Sequence, residues 1–313
     1  MTIMIAAGVD VGRDWLDVAI APSGRHFRTP NTPAGVAAIP ARLLRAGVTR
    51  VVLESIGALA ARLVRALAAA GLEVGIVDPR RIAALRLAEG GRAKTDRLDA
   101  RLIARFALLM TDAIRPIPDA DALDLRALST RRRQLVEMIA MEKTRLKQVV
   151  DPLLTASCRE MIRVLGEERA RIEAMIEART HATAEGRRRS DLLRTIPGVG
   201  PAIAATFLVD LPELGAIDNK AIASLAGLAP HIQQSGASPA RASIQGGRPC
   251  VRAAAYMAAL SSVRSDAGFK AHYKAMRAAG KPAKVALIAI ARKIVVAANS
   301  ILRHDTPWTP PAH

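Results

Sequence analysis

Apolar positions along the chain follow two periods. Near the N-terminus, IMIAAGV at 3–9 is a short apolar run that ends at Asp10, and WLDVAI at 15–20 alternates apolar with polar residues. Gly12 lies between them and the turn signal PSGR follows at 22–25. This pattern predicts a β-hairpin with Asp10 near the middle of its first strand. Ala37, Ile39, Leu43 and Leu44 predict a helix over 34–46. RVVLES at 50–55 reads as a buried strand with Glu54 near its end, followed by a helix at 57–70, the strand LEVGIV at 72–77 and a turn at DPRR. Strands alternating with helices after an opening hairpin predict an α/β layer with a mixed sheet.

The pattern changes after Pro116 and Pro118. Residues 122–180 are almost free of Gly and Pro, with Leu125, Ile139, Leu146 and Leu153 on a seven-residue grid and Arg132 in its gap. Leu128, Leu135 and Val149 form the offset row, broken by Glu142. Such a seam fits either a helical hairpin within one subunit or a coiled coil between protomers. Residues 191–210, DLLRTIPGVGPAIAATFLVD, read as helix, Pro-Gly-Val-Gly turn and helix, a helix-hairpin-helix pattern. Its glycines Gly198 and Gly200 would let backbone N–H groups approach a phosphate, although a plain turn between helices fits as well. A closing amphipathic helix is expected at 283–302. The expected division is 1–112, 113–190 and 191–313.

Charge narrows the partner. The net charge is +18, carried as +6, +4 and +8 by those three segments, so the chain suits a polyanion and nucleic acid most simply. A membrane-surface protein would concentrate the charge on one amphipathic helix, and no membrane partner is expected. Aromatic residues are only 3%, so Ala, Leu, Val and Ile must carry the packing. Cys158 and Cys250 stand far apart, outside any metal-ligand spacing. No basic leader with a cleavage site opens the chain, and a bacterial cytoplasmic, nucleoid-associated location is the expectation.

The candidate chemistry centres on GGRAKTDRLDARLIARFA, residues 90–107. Asp96 and Asp99 stand three apart at the head of a predicted helix, on one face, beside Lys94 and Arg97. A solvated helix start explains such a pair, and so does a divalent cation. Asp10 and Glu54 sit in apolar strands, where a carboxylate is costly unless paired or metal-bound. A set of Asp10, Glu54, Asp96 and Asp99 offers the hard oxygen ligands that Mg²⁺ or Mn²⁺ prefers. Further along, Ser235, Ser238 and Ser243 lie in one polar stretch, and spacing does not choose among them. His231 reads as a bystander. Arg241, Arg248 and Arg252, like the runs Arg131–Arg133 and Arg187–Arg189, are candidate phosphate contacts or simply solvated charges.

Taken in order, GVDVGRDWLDVAI, VVLES and KTDRLDARLIA, then IPGVGPAIAATFL, AGLAP, QSG, GGR and VRAAAYMAAL, resemble the DEDD-type insertion-sequence transposases of the insertion-sequence one-ten family, related to Piv-type invertases and bridge-RNA-guided recombinases. The resemblance implies a RuvC-like RNase H fold, a coiled-coil region and a mostly helical transposase domain. It assigns the acidic tetrad to Asp10, Glu54, Asp96 and Asp99, and the nucleophile to Ser235, which would form a phosphoserine link to DNA. It also implies a homodimer or homotetramer with a composite site, donor and target DNA, and a noncoding guide RNA. Gln234 stands where relatives often carry an acid, and Ala253 where a second arginine is common. A junction-resolvase-type nuclease is the main rival. An actin-like ATPase shares the Asp10-x-Gly12 opening but lacks the second phosphate turn here, and a non-catalytic binder would not keep all four acids.

Overall fold

A computed structural model describes residues 4–54, 58–90, 95–117, 120–233 and 241–310. The chain divides into two compact units, residues 1–123 and 124–313.

The first unit is a sheet covered on both faces. Strands β1 (Ala6–Val11), β2 (Trp15–Ala21), β3 (Arg25–Pro30), β4 (Arg50–Leu53), β5 (Glu73–Ile76) and the two-residue β6 (Arg115–Pro116) lie in the order β3-β2-β1-β4-β5-β6. β1, β2 and β3 form an antiparallel meander, β4 and β5 run parallel to β1, and β6 is antiparallel to β5. The mixed sheet is consistent with an RNase H-like domain. Side chains alternate between its faces. Ala7, Val9, Leu16, Val18, Ile20, Phe27, Val51 and Leu53 pack under helices α1 (Pro33–Arg45) and α2 (Ala58–Ala69). Ala6 and Val52 point the other way, onto α3 (Pro79–Ala88) and α4 (Asp96–Leu109).

Two local readings change. The buried stripe of α1 is Val36, Ile39, Pro40 and Leu43, while Leu44 is exposed. That set follows the 3.6-residue period more closely than the expected one. The stretch DPRR opens α3: Asp78 is its N-cap and accepts a hydrogen bond from the Arg80 N–H at 2.9 Å, with Pro79 in the first turn. Asp before Pro is an N-cap signal as much as a turn signal.

Small residues let α4 lie directly on the sheet. Ala100 and Ala104 pack against Ala19 and Ala21 of β2. Gly8 of β1 lies beneath them, and a Cβ there would come within 2.2 Å of the Ala104 nitrogen and 2.4 Å of the Ala100 oxygen.

In the second unit, α5 (Ala120–Leu146) and α6 (Pro152–Thr180) fold back on each other. Leu135, Ile139, Leu165, Ile172 and Ile176 are buried between them, with Leu125, Leu128 and Ile162 alongside. The helical-hairpin alternative for the heptad seam is therefore realised within the chain. Arg132, the polar break, binds Glu173 across the hairpin at 2.7 Å. The far end of the seam stays open: Val150, Leu153 and Leu154 are exposed. Helices α7 (Ala184–Arg194), α8 (Pro201–Asp210), α9 (Asn219–Leu225), α10 (Pro249–Ser265), α11 (Ala267–Ala278) and α12 (Ala283–His304) share one core, and β7 (Pro230–Gln233) pairs with β8 (Arg241–Ile244). Helix α12 is long and apolar enough to cross a membrane by composition, but its Ala286, Ile290, Ala291, Ile294 and Ala298 are fully buried in this core.

Gly8→Ala should lower stability by about 2–3 kcal/mol, because the added methyl overpacks the sheet against α4. Gly166→Ala in α6, where nothing lies within 4 Å of the new Cβ, should raise it by about 0.5–1 kcal/mol. Chemical denaturation of the two variants checks the contrast.

Candidate active site

The sheet register builds the acidic site. Asp10 is the fifth residue of β1 and shares the α4 face with Ala6 and Gly8. Antiparallel pairing sets Asp17 of β2 directly opposite Asp10, and Arg28 of β3 opposite Asp17. On the other side, parallel pairing joins Val9 to Leu53, so Glu54 follows immediately beyond the end of β4, beside Asp10. Arg28, Asp17, Asp10 and Glu54 therefore form a row across four neighbouring strands. The N-terminus of α4 closes over it. Thr95 caps the helix, its Oγ1 accepting from the Leu98 N–H at 3.3 Å, so the chain turns into α4 one residue before Asp96.

The four acids of the sequence reading converge here. The Asp10 carboxyl is pushed up from 3.8 to about 6, first by burial and then by the negative charges of Asp96, Asp99, Glu54 and Asp17. Asp96 and Asp99 differ in setting although they share the first turn. Asp99 is 5% exposed and binds Arg86 of α3 at 2.5 Å. Asp96 is open to solvent and meets Arg28 at 3.1 Å. The carboxylates thus approach one another without closing into a cage: among the described residues no three acid, His or Cys side chains stand ready to hold one ion. Two guanidinium groups occupy the acids instead. Arg97 is exposed on the same turn of α4, and Lys94 lies outside the described residues.

Asp17, His26, Arg28 and Arg86 are absent from the sequence reading. Asp17 is a polar position of the alternating WLDVAI strand, but α4 covers its face of the sheet and leaves it 2% exposed. Its Oδ1 meets His26 Nε2 at 2.8 Å and its Oδ2 accepts from Arg28 Nε at 2.9 Å. Counting hairpin pairs outward from Gly12 would have placed Asp17 opposite Asp10.

In the second unit, β7 and β8 pair from Pro230–Ile244 to Gln233–Arg241. Ser235 falls in the connection between these strands, and it lies outside the described residues together with Gln234 and Ser238. Ser243 is exposed on β8. Behind the hairpin, the AGLAP and GGR segments meet backbone to backbone: a Cβ on Gly247 would come within 2.2 Å of the Gly227 nitrogen, and both residues have positive φ. Arg252 donates from Nη1 to the Gly246 carbonyl at 2.8 Å. Arg248 forms a bidentate pair with Glu213 at 2.5 and 2.6 Å and also donates to the Asp210 carbonyl. That pairing outweighs burial and holds the Glu213 carboxyl below its usual range. Both arginines thus have partners inside the unit. Gly198, at φ +83°, packs against Ala258 and Ser262 of α10, and the Ser262 hydroxyl donates to the Pro197 carbonyl at 2.6 Å. Gly200 caps α8 with open space around it.

Because folding raises the Asp10 carboxyl, its contribution to stability is full below pH 4 and is lost as the pH rises through about 6. Asp10→Asn should therefore stabilise the chelator-treated protein at pH 8, by about 1–2 kcal/mol once solvent screening is allowed for, and the gain should vanish at pH 4. Thermal unfolding at the two pH values tests the sign.

Two family models match successive parts of the chain. A DEDD-type IS110 transposase model matches residues 7–154, which include all four tetrad acids, and a model described as "Transposase IS116/IS110/IS902 family" matches residues 190–274, which include the β7–β8 hairpin. The chain is 29% identical over 245 residues to the pilin gene-inverting protein of Moraxella bovis, covering 77% of this chain and 76% of that one. The pilin gene-inverting protein of Moraxella lacunata matches to the same extent. An insertion element IS110 protein of 43.6 kDa from Streptomyces coelicolor is 28% identical over 197 residues, covering 56% of this chain and 48% of its own length. With both transposase regions present in order and the acids gathered at the end of β1, the chain belongs to the IS110 family of transposases and is a DNA recombinase.

Proposed function

We propose that the protein cuts and rejoins DNA strands with a serine nucleophile, Ser235, assisted by Mg²⁺ or Mn²⁺ held by Asp10, Glu54, Asp96 and Asp99. The observation that carries this reading is the gathering of these acids at the end of β1, where burial first and then their mutual repulsion raise the Asp10 carboxyl to about 6. Carboxylates are driven together at that cost where a positive charge is to be shared among them. The donor set is all oxygen, which fits a hard divalent ion. Such an ion, when bound, polarises the scissile phosphate and eases loss of the serine proton. The chain's own groups do the rest. Asp10 and Glu54 present their carboxylates from adjacent strand ends, and the Thr95 cap fixes the start of α4 and with it Asp96. Arg86 keeps Asp99 oriented. The Ser235 hydroxyl, which needs activation to attack, would displace one deoxyribose oxygen from the scissile phosphodiester, giving a phosphoserine diester to one strand end and a free hydroxyl, carrying the proton, on the other; attack by such a hydroxyl on the phosphoserine rejoins the strand and frees the serine.

The proposed partners are donor and target DNA and a noncoding guide RNA, bound through the +18 chain. Candidate backbone contacts are Lys94, Arg97, Gly198, Gly200, Arg241, Arg248 and Arg252. Gly200, at an open helix N-terminus, and the exposed Arg97 are the two best disposed as the molecule stands. Self-association as a dimer or tetramer is supported by the exposed Val150, Leu153 and Leu154 at the end of the helical arm.

Incubation with end-labelled junction DNA and Mn²⁺ should give a protein–DNA adduct that resists denaturant and is absent in Ser235→Ala. Cut DNA with no adduct in the unaltered protein would instead assign hydrolysis of the junction-resolvase kind. Asp99→Asn should reduce strand cleavage by at least about a hundredfold, on the scale of losing a principal electrostatic contributor.

A further inference from the structure

A fifth carboxylate, itself buried, and an arginine stand next to the tetrad with no role in the chemistry above. Asp17 holds Arg28 in a fixed place. Arg28 Nε donates to Asp17 Oδ2 at 2.9 Å, and Nη2 lies 2.7 Å from the same oxygen. His26 closes the other side of Asp17 at 2.8 Å. The guanidinium also lies 5.9 Å from the centre of the Trp15 ring. Its Nη2 then reaches Asp96 Oδ2 at 3.1 Å.

The two arginine pairs of the site are not alike. The Arg86–Asp99 pair is short and largely enclosed, with side chains 20% and 7% exposed. The Arg28–Asp96 pair is longer and open, with side chains 45% and 66% exposed. An open pair is worth little, so its carboxylate is readily exchanged to another cation. An enclosed pair is costly to break, because one charge would be left buried alone.

We infer that Arg28, docked on Asp17, is a positioning residue that acts as the site's internal counter-cation: it holds Asp96 when no ion is bound and must release that carboxylate to a divalent ion. Arg28 and the ion compete for one ligand. The affinity for the ion is therefore set by a residue that is not itself a ligand. Asp17 matters because it keeps the displaced guanidinium docked next to the site, so that it can return when the ion leaves. The inference rests on the metal-binding reading of the tetrad.

The test is Mn²⁺ binding to the full-length protein without nucleic acid, measured by calorimetry and by the Mn²⁺-induced rise in melting temperature. Arg28→Gln removes the competing charge. It should bind Mn²⁺ about five- to tenfold more tightly, on the scale of one partly screened charge, and melt lower in chelator. Arg28→Lys keeps the charge and should stay within about twofold of the unaltered protein. The double variant Arg28→Gln with Asp17→Asn leaves no buried carboxylate without its partner, so it keeps the fold testable if the single variant is unstable. It should bind Mn²⁺ about five- to tenfold more tightly than Asp17→Asn alone, which loses the same carboxylate charge but keeps Arg28. Mn²⁺ binding in Arg28→Gln no tighter than in the unaltered protein, and in the double variant no tighter than in Asp17→Asn, with clear binding by the unaltered protein, overturns the inference and leaves the tetrad reading standing. So does a Lys variant as tight as the Gln variant. If the unaltered protein binds no Mn²⁺, the tetrad reading falls and this inference falls with it.

Discussion

Helix α4 reaches the backbone of β1 because Gly8 has no side chain, and the acidic site depends on that contact. Helices packed on sheets are normally held off by the side chains between them. Here Gly8 and the alanines Ala19, Ala21, Ala100 and Ala104 remove that layer along one line. The first turn of α4 then descends to the level of Asp10, two residues beyond Gly8 on the same face. A larger residue in place of Gly8 would displace the whole helix, and with it both Asp96 and Asp99. A packing detail deep in the unit thus fixes the distance between charges at its edge.

That closeness creates an electrostatic conflict that the rest of the site resolves. Five carboxylates, Asp10, Asp17, Glu54, Asp96 and Asp99, gather on one sheet face, with Asp17 and Asp99 buried and Asp96 open to solvent. The molecule answers with two arginines drawn from different elements, Arg28 from β3 and Arg86 from α3. At Asp10, burial and the remaining repulsion together raise the carboxyl to about 6. The tension remaining at Asp10 is what a divalent ion would relieve.

Much of this architecture could be read along the chain, because period-two and period-3.6 patterns are strong where strands and helices have one apolar side. The strands at 50–55 and 72–77 and the helices at 34–46 and 57–70 emerged within a few residues, as β4, β5, α1 and α2. Asp10 and Glu54 stood out because carboxylates in apolar strands are anomalous, and Asp96 and Asp99 because they share one face of a helix start. Asp17 was missed for the opposite reason: in WLDVAI it fell on the polar beat of an alternating strand, where Asp is unremarkable. Only the tertiary cover supplied by α4 makes it buried. Arg28 and Arg86 matter through pairings across 11, 68 and 13 residues, which no local pattern encodes. Gly8 looked like one more small residue in an apolar run, since the helix it admits lies some ninety residues further on.

The division of the chain places a requirement on the proposed chemistry. The four acids all lie within residues 1–123, whereas Ser235 falls in sequence between β7 and β8 of the second unit. On the proposed reading, neither unit holds both the nucleophile and the groups that activate it. A serine without adjacent ion ligands is a weak nucleophile, and an acidic cluster without the serine makes no covalent link to DNA. On that reading the covalent step needs the serine and the bound ion at one phosphate, so both units contribute groups to it and neither performs it alone.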